Sequence, residues 1–159
     1  PSMIQGARHY NRYGDRCSYY VNGAADLAIF PDGHFDFVYS ALVLQHIHPG
    51  FGARYIQEFV RVLRPGGVGL FQMPATRLTP EPSSLRQAVR GLLPAPLLAA
   101  YRKLRYGANA PSLPEFDMYA MPRDEVEALL RTAGGYPLAM EPDSESAPPW
   151  VSYWYTFTR

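Results

Sequence analysis

Cysteine is nearly missing from this chain: Cys17 is the one example in 159 residues. A single thiol excludes an internal disulfide and any multi-cysteine zinc site, and a reducing cytosol is the simplest compartment. An excess of one charge is missing too. Fifteen Lys and Arg stand against 14 acids, so bulk charge does not point to nucleic acid. No apolar run reaches membrane-spanning length and no signal peptide is visible, so no membrane partner is expected. The sequence opens at Pro1 without a Met, which leaves a lost leader open. His46 and His48 stand two apart with no third ligand nearby, and no metal is expected. No internal repeat occurs.

What is present suits one domain with a real core. Apolar residues make up 47% of the chain, well above a disordered composition. The most informative stretch runs from Phe35 to Met73. Phe35, Phe37, Val38 and Tyr39 form a short apolar and aromatic run, which predicts a strand buried on both faces. A helix is expected from Arg54 to Leu63, with Ile56, Phe59, Val60 and Leu63 in one apolar stripe. Glu58 and Arg61 sit three apart off that stripe and can pair weakly. Pro65 cannot continue the helix, and Gly66 or Gly67 can take the left-handed conformation that ends it. Val68 to Met73 is a second short apolar strand. Two buried strands joined by a helix should be parallel, with a right-handed crossover. Ligands of such sheets bind beyond the carboxyl ends of the strands, here Ser40 to His48 and Gln72 to Thr76.

On either side the pattern is more broken. A helix opens the chain, with Met3, Ala7 and Tyr10 on one face. A short strand is expected over Ser18 to Val21, then a loop from Asn22 to Leu27 and a turn at Pro31-Asp32-Gly33. Between Pro74 and Glu115 prolines recur around helical stretches at Leu85 to Leu93 and Leu97 to Tyr106. Pro122 opens a helix whose Val126, Leu129, Leu130 and Ala133 form a stripe, ended by Gly134-Gly135. Tyr136 to Glu141 and Val151 to Thr158 read as strands that pair antiparallel.

These motifs resemble the class I S-adenosylmethionine (SAM)-dependent methyltransferase domain, in its small-molecule, type 11-like form. Pro1-Ser2-Met3-Ile4 with Ala7-Arg8 looks like the helix after that family's second strand. Phe30-Pro31-Asp32-Gly33-x-Phe35-Asp36 looks like the lead-in to its fourth strand. Leu44-Gln45-His46-Ile47 and Arg61-Val62-Leu63-Arg64-Pro65-Gly66-Gly67 look like its later motifs. The resemblance implies an α/β fold with a Rossmann-like sheet. It also implies that the family's first two strands, glycine-rich loop and ribose-gripping acid are missing here. A sheet interrupted between Ser18–Val21 and Phe35–Tyr39 is then expected, with one flank of the latter unpaired. The expected organisation is a single partial domain over 1–159, with a helical insertion at 74–115 as acceptor lid.

The resemblance also assigns roles. It implies methyl transfer from SAM to a small-molecule acceptor, with a non-catalytic, partner-binding domain as the alternative. Asn22, Gly23, Ala24, Ala25, Asp26 and Leu27 would border adenine. Ser40, Ala41 and Leu42 would line the cofactor edge, where small residues permit close approach. Asp26 either approaches the adenine amine or caps its own loop. Asp36 ties a strand end. His46 is either a general base on an acceptor hydroxyl or a pocket-shaping residue. Gln45, Tyr101, Arg102 and Tyr106 are the acceptor candidates. The basic group they adjoin, Arg102, Lys103 and Arg105, is either a solvated helix face or part of the lid.

Overall fold

The structure, a computed structural model, describes residues 2–78, 117–146 and 148–159. Three α-helices and four strands alternate there: α1 (Ser2–Tyr10), β1 (Phe35–Ser40), α2 (Pro49–Val62), β2 (Leu63–Arg77), α3 (Arg123–Thr132), β3 (Tyr136–Pro142) and β4 (Trp150–Thr158). The strands form one sheet in the order β1-β2-β4-β3. β1 and β2 are parallel. β4 runs antiparallel to both β2 and β3. The fold is a mixed α/β sheet, with the expected β-α-β unit and antiparallel C-terminal pair.

The Arg64-Pro65-Gly66-Gly67 segment works differently from its expected role. α2 already ends at Val62, because Leu63 is extended (φ −72°, ψ 136°). Arg64 precedes a proline, which keeps it out of the helical region. Phe35 pairs with Leu63 and Phe37 with Val68, so residues 64–67 loop out between two rungs. Gly66 makes that loop at φ +78°. At Gly67 a side chain would sit 3.1 Å from the Asp36 carbonyl oxygen, so glycine lets the loop lie against β1.

α2 starts earlier than Arg54, at Pro49, capped by His48, whose Nδ1 accepts the Gly50 amide at 3.3 Å. Its stripe of Ile56, Phe59 and Val60 is buried beside Phe71, Met73, Tyr155 and Phe157 of the sheet. Val126 and Leu130 of α3 join the same core. Gly134, at φ +84°, ends α3, and the close pass of Gly135 beside Val60 locks α3 against α2.

Other expectations are corrected. Ser18 to Val21 forms no strand. The described sheet is therefore contiguous rather than interrupted, although β1 does have one unpaired flank. Both helices of the core lie on one face, so β1 is not buried on both: Phe37 is 54% and Tyr39 58% exposed. Those two rings stack on each other, and Tyr39 stacks on Trp154. The face of α1 shared by Met3 and Tyr10 is exposed rather than packed. Pro74 to Arg77 continue β2 against β4, so the region expected as an insertion begins as strand. The helical stretches expected at Leu85 to Leu93 and Leu97 to Tyr106, with Tyr101, Arg102 and Tyr106, lie outside the described residues.

Candidate functional site

The β-α-β unit places two groups of candidate residues around α2. The first is the turn that leaves β1. Ser40 is buried, Ala41 half-buried and Leu42 exposed. Leu42 has φ +59°, a conformation that costs a non-glycine residue about 1–2 kcal/mol. Backbone strain of that kind collects at ligand clamps and switch regions. A single 3-10 turn, Leu44–His46, follows. Gln45 is buried, and its carbonyl accepts the Tyr119 amide at 2.8 Å. That bond ties the segment after residue 116 to the carboxyl edge of the sheet, as does Met121 N–H to the Pro74 carbonyl at 2.9 Å.

His46 is held from both sides of its ring. Gln45 Nε2 lies 3.0 Å from Nε2, and the Asp117 carbonyl 3.4 Å from Nδ1. The Gln45 amide nitrogen can only donate, so Nε2 accepts and Nδ1 carries the proton toward Asp117.

The second group is the loop from Asn22 to Asp32, which has no strand or helix to satisfy its backbone. Asn22 folds the loop on itself: Oδ1 accepts the Ala24 amide at 3.1 Å, and Nδ2 donates to the Asp26 carbonyl. α2 then holds the rest. Tyr55 donates to the Ala24 carbonyl at 3.3 Å. Arg54 pairs with Asp26 at 2.9 Å. Glu58 accepts the Leu27 amide at 2.8 Å. Arg61 donates to the carbonyls of Leu27 (3.0 Å) and Phe30 (3.1 Å), to Asp32 (2.7 Å) and to both carboxylate oxygens of Glu58 (2.8 Å each). The Arg61 guanidinium and the Leu27 amide hold the Glu58 carboxyl below its ordinary range, and Arg61 is shifted up in return. The loop thus runs along α2 with Asp32 at the helix's C-terminal end and Ala24 nearer the carboxyl edge of the sheet.

This arrangement sorts the candidates. Gly23 and Ala24 are exposed and Ala25 half-buried, and the Ala24 backbone is bonded through both its amide and its carbonyl. Asp26 is differently engaged: Arg54 takes Oδ2 and the Ala28 amide takes Oδ1. Asp36 pairs with Arg64 at 2.6 Å across the bulge. The holding residues Arg54, Glu58 and Arg61 were visible in the sequence as a polar stripe at i, i+4 and i+7. Only one weak pair was read from it. No group of three or more potential metal ligands gathers among the described residues. No described helix is long and apolar enough to cross a membrane.

Comparison with known proteins follows the same lines. Residues 1–71 match the family model described as a methyltransferase domain. The chain carries a Rossmann-like methyltransferase fold. A SAM-dependent methyltransferase of Methanosarcina mazei shares it with a TM-score of 0.60 at 16% identity, over 99% of this chain and 76% of that one. So does 1,6-didemethyltoxoflavin-N1-methyltransferase of Burkholderia thailandensis, solved with 1,6-didemethyltoxoflavin and S-adenosylhomocysteine (0.58, 15%, 100% and 56%). The [4+2]-cyclase SpnF has it as well (0.59, 16%, 98% and 61%). The chain therefore spans little more than half the length of the N-methyltransferase. No curated protein matches it.

Proposed function

We propose that this methyltransferase fold takes part in SAM-dependent methyl transfer to a small-molecule acceptor. The observation that carries the reading is the loop from Asn22 to Leu27, held along α2 by Arg54, Tyr55 and Glu58. The family resemblance gives this loop and the turn after β1 to the cofactor. They fit the adenine end of SAM: exposed alanine and glycine backbone, a small residue at Ser40, and the apolar Leu42. They offer less to a ribose, because both carboxylate oxygens of Asp26 are already bonded.

Bound SAM supplies an electrophilic methyl group on a sulfonium. Methyl transfer then requires alignment of the acceptor with that group, and a dedicated base is optional. His46 is a pocket-shaping residue on this reading, since Gln45 and Asp117 occupy both its ring nitrogens. In a form of the protein that turns over SAM, His46→Ala should reduce turnover less than tenfold. A loss of about 10²–10⁴-fold, typical of a removed general base, would make it catalytic instead. Gln45, Tyr101, Arg102 and Tyr106 are proposed to meet the acceptor, with the part of the 74–115 insertion beyond the β2 strand as its lid. A cytoplasmic setting fits the single cysteine.

Calorimetry tests the cofactor assignment. The 159-residue chain should bind SAM weakly or not at all, because its candidate residues cover the adenine end. A longer form that carries the family's glycine-rich loop should bind it well. A second reading, a partner-binding domain, is favoured by the exposed rings of Phe37 and Tyr39 on β1, an edge strand of the described sheet. It takes over if a form that carries the family's glycine-rich loop is also silent toward SAM.

A further inference from the structure

The loop from Asn22 to Asp32 has the backbone of a flexible connection and the bonding of a fixed one. Its polar groups need partners. α2 provides them through side chains at four positions on one flank: Arg54, Tyr55, Glu58 and Arg61. We propose that Glu58 and Arg61 are positioning residues that clasp this loop to α2 and so hold the Ala24 and Ala25 backbone in place for the adenine end of the cofactor. This inference rests on the cofactor reading above.

Arg61 is the centre of the clasp. Its guanidinium reaches four residues at once: Glu58, Asp32, and the carbonyls of Leu27 and Phe30. That needs a planar fork with several donors in fixed directions, which a lysine ammonium does not offer. Glu58 supplies the complementary half. One carboxylate oxygen accepts both from Arg61 Nη2 and from the Leu27 amide, so the same side chain orients the arginine and grips the loop. The interior of the loop is closed as well, by Phe30 N–H to the Leu27 carbonyl at 2.9 Å. Leu27 accordingly bonds through both its amide and its carbonyl. A loop ordered before the ligand arrives does not lose that conformational freedom on binding, so its ordering cost is removed from the affinity. The clasp touches the loop two to eight residues away from Ala24 and Ala25 and meets no ligand itself.

The experiment uses the 159-residue chain and adenosine at millimolar concentration, followed by NMR at the Ala24 and Ala25 amides. Arg61→Lys keeps the charge and loses the fork. Glu58→Gln keeps an acceptor for the Leu27 amide and loses the ion pair. Val126→Ala, in α3, serves as a variant that loses stability away from the loop. Adenosine should shift both amides in the wild type. Arg61→Lys should weaken adenosine at least tenfold and speed hydrogen exchange at the Leu27 amide by a similar factor. Glu58→Gln should do the same to a smaller degree, and Val126→Ala should leave the affinity unchanged. If Arg61→Lys loosens the loop yet binds adenosine like wild type, or if Val126→Ala weakens it equally, the positioning role is wrong while the cofactor reading stands. If adenosine leaves Ala24 and Ala25 unmoved in the wild type, the assignment of this loop to adenine fails and takes this inference with it, while the methyl-transfer reading is judged by SAM calorimetry.

Discussion

The two faces of the four-stranded sheet are built from similar residues and meet different surroundings. One face carries Phe71, Met73, Tyr155 and Phe157, all fully buried under α2 and α3. The other carries Phe37, Tyr39 and Trp154 in a stacked row, with the first two more than half exposed. Aromatic content alone therefore says little about stability. What counts is how many apolar atoms surround each ring, since dispersion and burial accumulate contact by contact.

The sharpest way to break this comparison is to truncate one ring on each face. Phe71 stacks on Tyr155 at 5.1 Å and packs against Phe59 and Phe157. Phe71→Ala should cost about 3–5 kcal/mol in urea unfolding, the usual loss for a buried phenylalanine. Phe37→Ala should stay within about 1 kcal/mol of wild type, as surface changes do. Equal costs would mean that the second face is covered in solution.

The next largest effect tests packing between neighbouring strands. Gly69 pairs with Phe157, and a Cβ on it would lie 2.1 Å from that ring. The ring is buried and has little room to turn. Gly69→Ala should cost about 1–3 kcal/mol by overpacking, read from the same denaturant curves. A neutral result would show that the covered face tolerates rearrangement.

Tyr155 sharpens the comparison from the polar side. Its hydroxyl is buried without a hydrogen-bond partner, and burial pushes its pKa up to about 12. Tyr155→Phe should raise stability by about 1 kcal/mol, because it removes an unsatisfied buried group. The folded form holds the proton more tightly than the unfolded one. The wild type should therefore be fully stable below about pH 10 and lose stability as the pH rises toward 12. The phenylalanine variant should lose less over that range.

The smallest effect lies at the rim between the two faces. Leu42→Gly relieves the left-handed strain after β1 but adds freedom to the unfolded chain, for a net gain of about 0.5 kcal/mol. Thermal unfolding would report it. A loss of stability would show that the exposed leucine side chain packs usefully.

Much of the fold was legible from local pattern. The stripe of Ile56, Phe59 and Val60 gave α2, Gly134 marked the end of α3, and the run from Val151 to Thr158 gave β4. The segment around Asn22 was legible only through resemblance, whereas Ser40 also followed from its place at the carboxyl end of β1. Ser18 to Val21 looked like a strand because its side chains suit one, but a strand also needs a partner, and no described strand pairs with it. The polar stripe on α2 was present in the sequence, yet nothing local said that a loop 22 to 39 residues upstream would lie along it.

The sequence by itself thus determined the β-α-β unit, the direction of its strands and the antiparallel closing pair, because periodicity and turn residues act over a few positions. Tertiary structure alone decided which face of the sheet is covered, that α2 stops before Arg64-Pro65-Gly66-Gly67 so that those residues loop out between rungs, and that Arg61 binds the Asn22–Asp32 loop. Each of these depends on atoms far apart in the chain, whose meeting is set by where the helices pack.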